Sequence, residues 1–161
     1  MVNECMMLRA LLLSRKELRS ISRDTQALEF TSQRRSFTRL TKKLACHEHH
    51  GGSEVDKYLT MYDSIFRLIE ITLISQWSVA LHRRPHHTMQ RILLILFPAL
   101  SDTLDPEALT ALVNARHRAK KRGVMPSTFE MRSLLDVLNT CAEHVADHIT
   151  SYTPSDYALS G

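Results

Sequence analysis

A chain of 161 residues with 43 % hydrophobic content has the size of one domain and can bury a core. Four glycines, five prolines and long stretches of Leu, Met, Ala, Arg, Lys and Glu favour an all-α fold, while three cysteines without C-x-x-C spacing suggest no disulfide framework or zinc ribbon. The formal charge of +4 admits a polyanionic partner and is uneven: residues 1–50 carry ten Lys or Arg against five acids, residues 101–161 six against eight.

In chain order, the apolar opening Cys5 to Leu13 is broken by Arg9 and lacks a small-residue cleavage pattern, so it does not read as a signal peptide. The uncharged apolar run Ile92 to Ser101 is far short of the roughly 20 residues of a membrane span. The expectation is a soluble, cytoplasmic protein that needs no cofactor. Residues 5–46 read as one long basic helix or two, on which Arg34, Arg35, Arg39, Lys42 and Lys43 recur at helical steps that favour one face. Few aromatics interleave with them, so contact with a nucleic-acid backbone is the most they imply.

Ser53, after Gly51-Gly52, can cap a helix, and Val55, Tyr58, Leu59, Tyr62, Ile65, Phe66, Ile69, Leu73, Trp77, Ala80 and Leu81 then form one apolar face. This helix should stop near Arg84, because Pro85 disfavours helical dihedrals in the residue before it. A short helix, Met89 to Phe97, is apolar nearly all round, reads as central in the core, and ends or kinks at Pro98. Asp105-Pro106-Glu107 is a helix start and Gly123 the matching stop, so a helix runs from about Pro106 to Arg122. Ser127 and Glu130 fit a capping box for a last helix with apolar positions Phe129, Met131, Leu134, Leu135, Leu138, Ala142, Val145 and Ile149. The expected architecture is an antiparallel helical bundle of about five helices. One domain spans residues 1–150, with a core over 54–150, a basic N-terminal part over 5–46 and a flexible tail over 151–161.

The helix ending at Arg122 closes in "ARHRAKKRG". Arg116, Arg118, Lys120, Lys121 and Arg122 put five cations into seven residues. Cations stabilise the negative end of a helix, but that needs one or two, and like charges four residues apart repel. The excess points to a ligand that neutralises it, and phosphate is the usual one.

A long helix ending in "ALHRRPHH", a short apolar helix, then "LVNARHRAKKRG" and a final helix opened by "STFEM" resemble the HEPN superfamily. These are small helical bundles of toxin–antitoxin, abortive-infection and related nucleic-acid conflict systems. The family motif is an Arg, a polar residue and, further on, a His. Arg116 matches the arginine and His117 the polar residue, but Lys121, Arg122 and Gly123 stand where the closing histidine would fall. The resemblance implies RNA binding by a homodimer, acting alone or as half of a pair with a cognate protein. If the chain is active, it implies metal-independent RNA cleavage with Arg116 on the scissile phosphate and His117 as the only nearby base. A lysine near its reference pKa of about 10.4 is a poor general base, so binding is expected to have outlasted catalysis.

Other readings compete. Cys46, His47, Glu48, His49 and His50, or Cys141, His144 and His148, have zinc-ligand chemistry, but the first set reads as an exposed loop and the second as edge-of-core residues. "HRRPHH", His82 to His87, reads as a solvated turn. A regulator or adaptor that docks a partner through an apolar face, and a DNA-binding regulator built on the two-helix stretch 106–135, are the alternatives in function. No G-x-S-x-G elbow or P-loop supports nucleophilic or nucleotide chemistry.

Overall fold

The helices begin and end where side chains satisfy the backbone. Ser53 Oγ accepts the N–H of Asp56 at 3.1 Å and donates its own hydroxyl to the Asp56 carboxylate at 2.8 Å. Asp105 accepts the N–H of Ala108 at 2.7 Å ahead of Pro106, and Gly123 closes the same helix in the left-handed region, φ 61°, with its N–H on the carbonyl of Ala119. Only glycine takes that φ at no steric cost. Ser127 accepts the N–H of Glu130 at 3.1 Å, the first half of the expected capping box; the Glu130 carboxylate is engaged elsewhere.

The computed structural model describes residues 18–20, 31–43, 52–77, 79–81 and 89–151. Among them are five helices: α1 (residues 31–43), α2 (Glu54–Trp77), α3 (Met89–Leu96), α4 (Pro106–Arg122) and α5 (Thr128–Ser151). A 3-10 turn, Pro98–Asp102, follows α3. The chain is an all-α helical bundle, as expected. Two short segments depart from the expectation: β1 (Leu18–Ser20) and β2 (Val79–Leu81) pair antiparallel, Leu18 opposite Leu81 and Ser20 opposite Val79. The α2 helix therefore ends at Trp77 and not near Arg84, and within residues 5–46, expected as one helix or two, residues 18–20 are extended and 31–43 helical. Three residues fit either period, so Ala80 and Leu81 continued the helical pattern of α2 while belonging to an extended segment.

The most enclosed helix is α2. Tyr58, Tyr62, Ile65, Phe66, Leu68, Ile69, Ile71 and Leu73 have no exposed surface, so α2 holds the central place expected of α3. Its buried serine and threonine hydroxyls are satisfied within the helix: Ser64, Thr72 and Ser75 donate to the carbonyls of Thr60, Leu68 and Ile71 at 2.7–2.9 Å. From α3, Ile92, Leu93 and Leu96 fill the core with Phe97 just beyond it, while Leu94 and Ile95 are half-buried. Residual space between Ile65, Leu93, Leu112 and Leu134 amounts to a cavity of about 10 Å³, no more than a single water needs, so this interior is filled and not a ligand chamber.

At one end of the long pair α2 and α5, Gln76 Nε2 lies 3.4 Å from His144 Nε2; at the other, Tyr58 is within electrostatic reach of Glu130. The two helices therefore run in the same direction and α4 runs back against them. The N-terminal ends of α2 and α5 and the C-terminal end of α4 share one end of the bundle. Packed on the core from outside is α1, through Phe37 and Leu40.

Along α5 the buried stripe is Leu134, Val137, Leu138, Cys141 and Val145. Phe129 and Leu135, expected on the apolar face, are instead 72 % and 39 % exposed. At about 100° per residue both project away from that stripe.

Candidate nucleic-acid interface

The five cations of "ARHRAKKRG" divide three ways. Arg116 lies on the buried stripe of α4, one turn beyond Leu112 and one turn before Ala119, and is 8 % exposed. Its guanidinium sits over the Tyr62 ring, 5.2 Å from the centroid, and its buried Nε makes no hydrogen bond. The aromatic face stabilises the cation there. Burial pushes the Tyr62 hydroxyl up to about 12, with Arg116 opposing and Asp63 adding to the rise.

Next to Tyr62 on the same face of α2, Tyr58 donates to the carbonyl of Leu112 at 2.8 Å and ties α2 to α4. Burial first, then the charge of Glu130, raises the Tyr58 hydroxyl above the ordinary tyrosine range and keeps it a donor.

Arg118 is spent differently. Its Nη2 donates to both oxygens of Glu130, at 3.1 and 3.0 Å, and so ties the end of α4 to the first turn of α5. A pair this exposed contributes about 0.2–1 kcal/mol, but it neutralises one cation of the run.

Lys120, Lys121 and Arg122 remain, all exposed, with exposed His117 on the same helix. Among the described residues none of these four pairs with a carboxylate. Three positive charges therefore sit together at the end of α4, more than the partial charge of a helix terminus requires. Arg116 and His117 are adjacent in sequence, but one is buried against Tyr62 and the other faces solvent.

The second basic region is α1. Arg34, Arg35, Arg39, Lys42 and Lys43 are all exposed, across the helix from Phe37 and Leu40, which is the one-sided arrangement their spacing predicts. Arg35 and Arg39 line an open groove of about 420 Å³ with Thr31, Ser32 and Ser36.

The zinc readings find no support in the described residues, which hold no group of three His, Cys, Asp or Glu placed to bind a metal ion. Cys141 is fully buried, and burial raises its thiol far above the usual range. The His144 ring packs edge-on against Phe97, with centroids 5.1 Å apart. Residues 46–50 and 82–87 lie outside the described residues, as does the tail beyond Ser151. No described helix is long and apolar enough to cross a membrane. Comparison with family models, with curated proteins and with solved structures finds no match.

Three features of this end escaped the sequence reading. The burial of Arg116 had a signal, because Leu109, Leu112, Arg116 and Ala119 step by three, four and three residues along one helical face. Glu130 reads as a cap from sequence, and its pairing with Arg118, twelve residues upstream, depends on the hairpin. Of the described large hydrophobics, the four that stay exposed, Val124, Met125, Phe129 and Leu135, all lie in residues 124–135.

Proposed function

We propose that this chain is a HEPN-like helical protein that binds RNA through the C-terminal end of α4 and does not cleave it. The observation that carries the reading is the cluster Lys120, Lys121 and Arg122, exposed and without carboxylate partners among the described residues. Such a cluster gains free energy by displacing counterions from a phosphate backbone. The order of a long helix, a short apolar one, the Arg116 helix and a final amphipathic helix is the order the resemblance implies. It supports placing the protein with RNA-directed toxin–antitoxin or defence systems. Arg116 tells against cleavage: in a phosphate-clamping role its guanidinium would have to leave the Tyr62 ring.

Incubating the protein with end-labelled single-stranded RNA in EDTA reads both properties from one gel. The expected result is retention without cleavage, lost on combining Lys120→Ser, Lys121→Ser and Arg122→Ser. Cleavage in EDTA, or retention that survives the triple substitution, would overturn the reading.

A further inference from the structure

The exposed apolar residues and the cations without a carboxylate partner among the described residues occupy the same end of the bundle. Val124, Met125 and Phe129 are 43, 67 and 72 % exposed, and they follow Lys120, Lys121 and Arg122 directly in the chain. The turn that presents them is held at several points. Gly123 is capped on Ala119, Val124 N–H reaches the carbonyl of Arg118, Pro126 is buried, and Ser127 caps α5. Phe129 lies in the first turn of α5, beside the Glu130 that Arg118 grips. On α4, Arg122 follows Arg118 by one helical turn and so lies on the same flank, toward α5.

We propose that Phe129 is a base-stacking platform and that this end therefore takes single-stranded rather than duplex nucleic acid. The inference rests on the RNA-binding reading above and names the form of RNA.

The occupant must satisfy both chemistries. A second copy docked through this same patch would bring two cationic clusters into one interface with no acid to compensate them. A neutral apolar partner would leave the cations uncompensated. A single strand carries phosphates and unstacked base faces on one chain, and a base face on an exposed ring is sequence-tolerant. In a duplex the bases are already stacked and out of reach of a residue on a convex helix end, so Phe129 adds nothing there.

Fluorescence anisotropy on the full chain, with a labelled oligouridine and a labelled RNA duplex of equal length, tests this against Phe129→Ala, Phe129→Trp and the triple cation substitution. Phe129→Ala is expected to weaken single-strand binding about 5- to 150-fold and to leave duplex binding unchanged. Phe129→Trp should restore the affinity and be quenched on binding. The triple substitution should weaken both complexes. If Phe129→Ala binds the single strand as well as the parent while the triple substitution does not, the cationic reading stands and the stacking proposal falls. If neither change matters, RNA binding at this end is itself wrong. Phe129-dependent binding to phosphatidylserine vesicles without RNA binding would overturn the proposal in favour of a lipid surface.

Discussion

The two basic regions look alike in sequence and differ in structure. On α1, five cations spread along one solvent face opposite Phe37 and Leu40. At the end of α4, five cations in seven residues meet three fates: Arg116 is buried on an aromatic ring, Arg118 is neutralised by Glu130, and Lys120, Lys121 and Arg122 are left exposed beside Met125 and Phe129. A charge count therefore ranks regions poorly. What sets the α4 end apart is the chemistry that adjoins its uncompensated cations, the exposed Met125 and Phe129.

The largest expected difference within the α4 run is in stability. Arg116→Ala removes a cation–π contact and a packed aliphatic stem, and should cost about 2 kcal/mol in urea unfolding. Arg122→Ala, at an exposed position, should change stability by less than about 0.5 kcal/mol. Equal effects from the two would show that Arg116 is not the buried member of the run.

Glu130→Gln probes the neutralised member. It should lower stability by about 0.2–1 kcal/mol, because the pair is partly solvated. It should also release Arg118 to the ligand and steepen the salt dependence of single-strand binding by about 0.7 in log–log slope. An unchanged slope would place Arg118 outside the interface.

The smallest effect concerns the opposite end of α2 and α5. Burial lowers the His144 pKa, with Asp147 opposing, and burial together with His144 lowers that of His148. The unfolded chain then binds protons more readily than the folded one. Stability from this source is full above about pH 6.5 and declines as pH falls below it. Replacing both histidines by Gln should flatten the decline of the urea midpoint between about pH 7 and about pH 5. An unaltered decline would assign it to other groups.

Much of the fold was legible because it is written locally. Ser53, Asp105-Pro106, Gly123 and Ser127 are short-range signals, and the structure places helix boundaries at each. The ladder between residues 18–20 and 79–81 was not, since each strand is too short for a period to show and its partner is about sixty residues away. At the candidate interface the cations were legible as a run, but their separate fates depend on Tyr62 and Glu130, which belong to other helices. The reach of Phe129 into solvent depends on how α5 is rotated against α2, which the apolar pattern alone left free by a residue or so.

On the proposed reading the end of α4, and not the face of α1, is the main RNA contact. The direct measurement is the salt dependence of single-stranded RNA binding for the parent chain, for Lys120→Ser with Lys121→Ser and Arg122→Ser, and for Arg34→Ser with Arg35→Ser and Arg39→Ser. The α4 substitutions are predicted to remove about 2 from the log–log slope and most of the affinity, and the α1 substitutions less of both. A slope unchanged by the α4 substitutions, or a larger loss from those on α1, would contradict the claim.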